Sequence, residues 1–284
     1  MTFREAFVAA SARLAAAGST DSPDLDARVL LGHCAGLSHA ALLARWSDPV
    51  VDETADAFAA SLLRRLDGEP VAWITGFKEF LGMDFEVGPG LLVPRADTET
   101  LVEAALEVHA GPRVVDVGTG TGCVAIALAA TSQAHLEVWA GDLSPVAVET
   151  ARRNAARLLP APQRVTVVRS DLLEALPGPW ELIVSNPPYL TPDETRARVE
   201  QGWREPPLAL DGKGRDGLDV VRKLVGQATR ALAPGGWVLI EAADAQMEAI
   251  GKLYSDASLV DQKVWKDLAG QRRVAGARRQ NPPQ

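Results

Sequence analysis

From residue 113 onward strands and helices alternate along the chain, and this alternation restricts the possible folds more than any other feature. Apolar, β-branched segments predict strands, and helical periodicity predicts the helices between them. In chain order we predict a strand at 113–117, a helix at 123–130, a strand at 136–140, a helix at 145–159, strands at 165–169 and 181–185, a helix at 218–233 and a strand at 237–241. Such alternation is typical of an α/β fold, whose parallel sheet is covered on both faces. Residues 259–278 add two antiparallel edge strands to this prediction.

The chain ahead of residue 71 shows only helical periodicity. Phe3, Phe7, Ala10 and Leu14 recur at helical spacing, and Gly18 ends the pattern. Three more helices are predicted at 24–34, 38–46 and 53–66. Their predicted buried faces carry Leu25, Val29, Leu30 and His33 in the second helix and Ala57, Ala60, Leu63 and Leu66 in the fourth. We therefore expect a small helical bundle, whose apolar stripes form its own core.

Residues 71–95 have a different composition. Trp73, Ile74, Phe77, Phe80 and Phe85 favour strands, and glycines interrupt them. This pattern predicts a short β-hairpin. The expected organisation is a helical bundle at 1–70, which we assign to substrate recognition, a β-hairpin linker at 71–95 and an α/β domain at 96–284.

Charge and cysteine content restrict the class of function. The 29 Lys and Arg against 37 Asp and Glu give a formal charge of −8, which argues against a broad cationic face for nucleic-acid phosphates. No apolar run reaches the roughly 18 residues that a membrane-spanning helix needs. Neither the 2 cysteines nor the 4 histidines show the spacing of metal ligands. We expect a cytoplasmic monomer that requires no metal, no membrane and no direct contact with nucleic acid.

A glycine-rich turn follows the first predicted strand of the α/β domain. Asp116 and Val117 lead into Gly118-Thr119-Gly120-Thr121-Gly122, where the next helix begins. Small residues let a ligand approach the backbone, and the helix N-terminus offers unpaired N–H groups. Asp142 ends the second strand, 22 positions after Gly120, where open α/β sheets carry an acid for ribose hydroxyls. The pair predicts a nucleoside cofactor.

The identity of that cofactor stays open on spacing alone. A dinucleotide fingerprint ends in Gly or Ala, and Cys123 stands there instead. The loop resembles the S-adenosylmethionine loop of class I (seven-strand, Rossmann-like) methyltransferases. This resemblance implies that the cofactor contacts Gly118, Thr119, Gly120, Thr121, Gly122, Asp142, Asp171, Leu172 and Asn186. By this resemblance, Asp171 and Leu172 line the adenine. A helix cap is the alternative interpretation of Asp171.

Asn186-Pro187-Pro188-Tyr189 follows the fourth predicted strand, at the carboxyl end where α/β sheets bind ligands. Two successive prolines remove two N–H donors and stiffen the backbone. The Asn186 side chain and the Pro187 carbonyl can then accept both hydrogens of a planar NH2 group, with Pro188 and Tyr189 as walls. Holding both hydrogens turns the nitrogen lone pair toward a methyl donor. The corner predicts amino-group methylation, of a glutamine amide, adenine N6 or guanine N2.

Four motifs together resemble the HemK/PrmC family, the N5-glutamine methyltransferases of peptide chain release factors. They are PRADTE at 94–99, DVGTGTG at 116–122, SNPPYL at 185–190 and EPPLALDGKGRDGL at 205–218. The resemblance implies a class I methyltransferase domain behind a helical bundle and a hairpin. It also implies that S-adenosylmethionine methylates the glutamine of the Gly-Gly-Gln motif in class 1 release factors. In this scheme Asn186, Pro187 and Tyr189 are catalytic, and Asn186, Pro187, Pro188 and Tyr189 hold the substrate.

Two segments depart from the family pattern. Glu241-Ala242-Ala243 replaces an E-x-G turn, and the C-terminal D-x-x-G-x-x-R pattern is matched only by Asp267, Gly270 and Arg273. We expect neither segment to touch the reacting centre. Three alternatives stay open: a ribosomal-protein glutamine methyltransferase, a nucleic-acid adenine or guanine methyltransferase, and a non-catalytic module that binds release factors.

Overall fold

A computed structural model describes residues 1–18, 20–108, 111–132, 136–160 and 165–282. The chain divides into two compact units. We call residues 1–77 with 198–204 the N-terminal unit, and residues 78–197 with 205–284 the sheet unit. The division expected from sequence, at residues 70 and 95, stays a prediction.

Five helices form the described part of residues 1–77. They are α1 (Phe3–Ala17), α2 (Pro23–Ala35), α3 (His39–Ala44), α4 (Asp52–Leu66) and α5 (Val71–Thr75). Thr2 and Glu5 form a capping box at the start of α1, and Gly18 ends it in the left-handed region at φ 61°. The predicted helices are confirmed, and α5 is additional.

The buried faces predicted for α2 and α4 are wrong for most of their residues, although Leu30 is buried as predicted. Leu25 is 51% exposed, Val29 40% and Leu63 59%. Each helix carries apolar side chains on both sides, so periodicity alone could not select the face. The packed side of α2 carries Asp26, which forms an ion pair of 2.7 Å with Arg65 of α4 in a largely buried position.

The segment 71–95 contains a helix as well as the predicted hairpin. Trp73 and Ile74 lie in α5, not in a strand, because Gly76 at φ 83° closes one helical turn there. The hairpin itself is confirmed as β1 (Phe77–Phe80) and β2 (Met83–Glu86). Leu81 and Gly82 join the strands, both at positive φ, which matches the twist of a two-residue hairpin turn.

The sheet unit is built on seven strands, in the spatial order β5-β4-β3-β6-β7-β9-β8. They are β3 (Arg113–Val117), β4 (Glu137–Asp142), β5 (Val165–Arg169), β6 (Trp180–Ser185), β7 (Leu232–Glu241), β8 (Leu259–Lys266) and β9 (Arg272–Arg279). The first five are parallel, and β9 runs antiparallel between β7 and β8. The predicted parallel sheet with two antiparallel edge strands is confirmed.

Helices cover both faces of this sheet. Those described are α6 (Glu99–Val108), α7 (Cys123–Thr131), α8 (Pro145–Leu158), α10 (Asp219–Ala231) and α11 (Met247–Asp256), and a further helix, α9 (Pro192–Glu200), precedes α10 in the chain. Successive residues of β3 separate the two cores: Val114 packs with α6, α7 and α8, and Val115 packs with α10 and α11. A strand buried on both faces explains why the parallel strands are apolar without alternation. Helices α6, α9 and α11 were not predicted from sequence.

Strand register brings four chain segments to one edge of the sheet. Val117 at the end of β3 pairs with Gly141 of β4 and with Ser185 of β6, and Ser185 pairs with Ile240 of β7. The residues that follow each strand therefore meet at the carboxyl edge. This edge is where an open α/β sheet binds its ligand.

The buried ion pair between α2 and α4 generates a stability prediction. Arg65→Ala leaves the Asp26 carboxylate buried without its partner, so we expect urea unfolding of the N-terminal unit to become easier by about 3–5 kcal/mol. Arg64→Ala is the matched control, since its bond to Glu69 is half exposed and is expected to contribute about 1 kcal/mol or less. Equal losses in both variants would show that the buried pair has no special role.

Candidate functional site

A cavity of about 660 Å³ opens at the carboxyl edge of the parallel strands. Its volume is in the range of small-molecule and cofactor sites. The predicted residues in its lining are Gly118, Thr119, Gly120, Thr121, Asp142, Asp171, Leu172, Asn186 and Pro188. Gly122, Pro187 and Tyr189 are not part of the lining that the structure describes. The edge of the sheet thus collects most of the site predicted from sequence.

The glycine loop leaves room for a ligand at its backbone. Gly118 and Gly120 have φ values of 73° and 57°, and a Cβ built on either would meet no atom within 4 Å. The space in front of both is therefore open, and side chains there would fill it. Gly122 differs, because its Cβ would lie 3.0 Å from Ile126 and 3.1 Å from Ala151. Gly122 allows close packing of α7 against α8.

The Asp116 carboxylate anchors the glycine loop by hydrogen bonds. Its Oδ2 accepts hydrogen bonds from the Thr119 hydroxyl at 2.6 Å and from the Ala125 backbone N–H at 3.2 Å. Burial raises the pKa of Asp116 to about 7, although both hydrogen bonds lower it. This carboxylate therefore fixes the loop to the start of α7.

Asn154 of α8 attaches the same loop to the hairpin. Its side chain donates to the carbonyls of Thr121 and Glu86, at 2.9 and 3.0 Å, and accepts from the Glu86 N–H at 2.8 Å. It is fully buried. One side chain thus satisfies three backbone groups and joins β2 to the glycine loop.

Asp142 lies at the end of β4 beside the loop. Its Oδ2 accepts from the Gly120 N–H and its Oδ1 from the Ser144 N–H, each at 2.9 Å. Burial raises the pKa of Asp142, and these hydrogen bonds lower it. Each oxygen keeps a second lone pair, so the oriented carboxylate can accept from two adjacent hydroxyl groups.

Asp171 and Leu172 follow β5 and border the cavity. The Asp171 carboxylate pairs with Lys223 of α10 at 2.7 Å, and Leu172 has a φ of 52°. The alternative interpretation of Asp171 as a side-chain cap is not what the structure shows, because its carboxylate engages Lys223. Its backbone carbonyl accepts from Glu174 instead.

The Asn186 side chain has a defined orientation. Its Nδ2 donates to the Thr98 hydroxyl oxygen at 3.1 Å. Because the NH2 group is engaged there, Oδ1 is the side-chain atom left to accept from a ligand. Pro187 is buried, and burial raises the pKa of Tyr189.

The glycine-rich motif at 205–218 packs against the corner Asn186-Pro187-Pro188-Tyr189, which we call the NPPY corner. A Cβ on Gly217 would lie 2.2 Å from the Tyr189 carbonyl, so only glycine allows this approach. Leu190 exchanges backbone hydrogen bonds with the chain at Leu210 and Gly212. Gln246 donates to the Tyr189 carbonyl at 2.8 Å. The motif at 205–218, which sequence analysis left without a role, thus holds the corner in place.

The motif at 94–99 is also part of the site. Leu92, Pro94, Arg95 and Thr98 line the cavity. Glu205, which is buried, accepts from the Arg95 guanidinium at 2.5 Å and from the Val93 N–H at 2.9 Å. These residues were not predicted to belong to the site. The only sequence feature that pointed to them is that their motifs occur together with NPPY in the family.

Glu241 lies next to the residues that carry the site, although neither it nor Arg273 is part of the cavity lining that the structure describes. Glu241 ends β7 beside Asn186, and it is 2% exposed. Burial raises its pKa to about 7, while hydrogen bonding from Thr98 and the charge of Arg273 lower it. Strand register brings Glu241 beside Asn186, and the expectation that neither segment touches the reacting centre stays a prediction.

Among the described residues, no group of three His, Cys, Asp or Glu side chains is placed to hold a metal ion. His109 and His135 lie outside the described residues. None of the described helices is long and apolar enough to cross a membrane.

Two family models match the chain. The PrmC N-terminal domain matches residues 5–76, and the methyltransferase small domain matches residues 96–203. A T. thermophilus 16S rRNA N2 methyltransferase, solved with AdoMet and guanosine, superimposes with a TM-score of 0.52 at 20% identity, over 72% of this chain and 50% of its own. At that identity the likeness concerns the fold. The strand order and the cavity at the carboxyl edge define a class I methyltransferase.

Curated relatives align over nearly the whole chain. The release factor glutamine methyltransferase of Bradyrhizobium diazoefficiens is 42% identical over 280 residues, which are 96% of this chain and 93% of that protein. That of Deinococcus radiodurans is 42% identical over 284 residues, 98% of this chain and 99% of its own. The chain belongs to the release factor glutamine methyltransferase family, and the resemblance seen in the sequence is confirmed.

Proposed function

We propose that this enzyme transfers a methyl group from S-adenosylmethionine to the side-chain amide nitrogen of the glutamine in the Gly-Gly-Gln motif of class 1 release factors. The observation that carries the proposal is the Asn186 side chain, whose NH2 is held by Thr98 so that its carbonyl oxygen is left for the substrate. Relatives with this name, at 42% identity, support the choice of substrate. Because release factors act in translation, we expect the enzyme to work in the cytoplasm. We also expect it to act as a monomer.

The groups that line the cavity fit S-adenosylmethionine. Open space at Gly118 and Gly120 admits a ligand against the backbone, and Asp142 offers two oriented acceptors to ribose hydroxyls. Asp171 and Leu172 border the region that we assign to the adenine. When bound, S-adenosylmethionine supplies an electrophilic methyl group, whose bond to sulfur breaks with the electron pair staying on sulfur.

The residues of this chain prepare the nitrogen that takes the methyl group. The amide nitrogen is a poor nucleophile while its lone pair is delocalised. If the Asn186 side-chain oxygen and the Pro187 carbonyl accept its two hydrogens, they favour a pyramidal nitrogen and aim its lone pair along the transfer direction. The nitrogen forms the new bond to carbon and then releases one proton to solvent. No general base is needed before the bond forms.

We assign recognition of the release factor to the N-terminal unit. This unit exposes large apolar side chains, among them Leu25 and Val29 on one face of α2. Exposed apolar groups at this spacing are suited to a protein partner. A protein substrate also agrees with the formal charge of −8, which does not favour a nucleic-acid phosphate backbone.

Incubation with labelled S-adenosylmethionine tests the substrate. We expect labelling of a class 1 release factor and loss of the label when the glutamine of its Gly-Gly-Gln motif is replaced by alanine. A large-subunit ribosomal protein, ribosomal RNA and DNA are the competing substrates. Preferential labelling of any of these, or label that survives the replacement, would contradict the proposed substrate.

Asp142→Ala tests the cofactor site. Removal of the ribose acceptor should weaken binding of S-adenosylmethionine by about 1.5–3 kcal/mol, the contribution of hydrogen bonds to a charged group. Titration calorimetry measures this change. Glu137→Ala, at the far and exposed end of the same strand, is the matched control and should bind as the wild type does. An unchanged dissociation constant in Asp142→Ala would place the cofactor elsewhere.

Asn186→Ala tests the mechanism. Loss of one positioned acceptor should reduce single-turnover methyl transfer to a release factor about 10²–10³-fold, while cofactor affinity stays nearly the same. Asn186→Asp keeps an acceptor but loses the donor to Thr98, so its rate separates the two functions of the side chain. Full activity of Asn186→Ala would eliminate the proposed role of this residue.

A further inference from the structure

The carboxylate of Glu241 has no role in the proposed transfer, although it is among the most buried charged groups of the chain. It lies at the end of β7, next to the strand that carries the NPPY corner. Register pairs Ser185 with Ile240, so that Asn186 and Glu241 are the next residues of the two adjacent strands. Oε2 of Glu241 has no hydrogen-bond partner among the described residues. Such a buried group calls for a functional or structural reason.

Thr98 connects this carboxylate to Asn186. Thr98 is 3% exposed, and its hydroxyl oxygen accepts from Asn186 Nδ2 at 3.1 Å. Its own proton is then free to be donated, and hydrogen bonding from Thr98 is the strongest of the influences that stabilise the charged form of Glu241. Hydrogen bonding from the Asn186 side chain stabilises the charged form of Glu241 as well, so Asn186 and Thr98 both donate toward this carboxylate and their hydrogen bonds have one direction.

The charge of Glu241 decides this direction. An ionised carboxylate only accepts, so the Thr98 hydroxyl must donate to it and must accept from Asn186. A protonated Glu241 can donate to the Thr98 oxygen instead. The Thr98 proton could then be given to Asn186 Oδ1, with the amide turned round and its NH2 facing the cavity.

We propose that Glu241 is a positioning residue, which acts on Asn186 directly and through Thr98 to hold its side chain with the carbonyl oxygen facing the substrate amide. This inference rests on the proposed function and deepens it. It predicts that methyl transfer requires the ionised form of a residue that touches neither cofactor nor substrate.

Charged and titratable groups face Glu241 from several elements. Arg273 of β9 lowers the pKa of Glu241, and Asp97 raises it. Arg273 also binds Asp97 at 3.0 Å and Asp267 at 2.9 Å, which holds its guanidinium in place. Burial raises the pKa of Tyr189 and of Cys123, and the negative charge of Glu241 raises both pKa values further. Both are therefore neutral around neutral pH, when Glu241 titrates.

The first test is the pH dependence of single-turnover transfer to a release factor. With a pKa of about 7 for Glu241, the rate should rise about tenfold between about pH 6 and about pH 8, as the ionised fraction rises. Glu241→Gln should have no such rise. Asp116→Asn is the matched control, because Asp116 is the other buried carboxylate of the site with a pKa of about 7. The rise should persist in that variant, whatever its rate.

The second test needs no substrate and no methyl transfer. In the full-length enzyme labelled with ¹⁵N, the side-chain NH2 signal of Asn186, assigned by its loss in Asn186→Ala, should titrate with a midpoint of about 7. The signal should be independent of pH in Glu241→Gln. Thr98→Ser keeps the hydroxyl and should keep the titration.

The outcomes separate the two proposals. Absence of transfer by the wild type would contradict the proposed function, whereas the Asn186 titration would still support the role of Glu241. An unchanged pH profile or an unchanged Asn186 titration in Glu241→Gln would overturn that role. If Glu241→Gln does not fold, the wild type decides: an Asn186 signal that does not change between about pH 6 and about pH 8 overturns the proposal.

Discussion

Hydrogen bonding between the parallel strands β4, β3, β6 and β7 is the constraint on which the site depends. It brings the segments that follow four strands to a single edge of the sheet, where these strands end at Val117, Asp142, Ser185 and Glu241. A shift of one residue in any of these strands would turn its side chains to the opposite face. Burial on both faces prevents such a shift, so the core that stabilises the fold also sets the geometry of the cavity.

Local signals were sufficient for most of the fold and for half of the site. Strand and helix periodicity predicted the parallel sheet, and the loop around Gly120 and the carboxylate of Asp142 were found because their chemistry follows directly from their place after a strand. The NPPY corner at Asn186 was found for the same reason. Its catalytic role, like that of Tyr189, stays a prediction.

The contacts that sequence could not predict join segments far apart in the chain. Thr98 and Asn186 are separated by 88 residues, and neither residue type indicates the other. Part of the buried face of α2 was missed because it carries Asp26, a residue that hydrophobic periodicity places at the surface. In both cases a polar side chain is buried because it has a partner, and only tertiary structure supplies that partner.

The most direct test is a crystal structure of the enzyme with S-adenosylhomocysteine and a peptide that contains Gly-Gly-Gln. The account predicts that the glutamine amide nitrogen lies about 3 Å from both Asn186 Oδ1 and the Pro187 carbonyl oxygen. It also predicts that Asn186 Nδ2 faces Thr98, as it does in the structure described above. A glutamine whose amide hydrogens bond elsewhere, or an Asn186 that presents its NH2 group to the substrate, would contradict it.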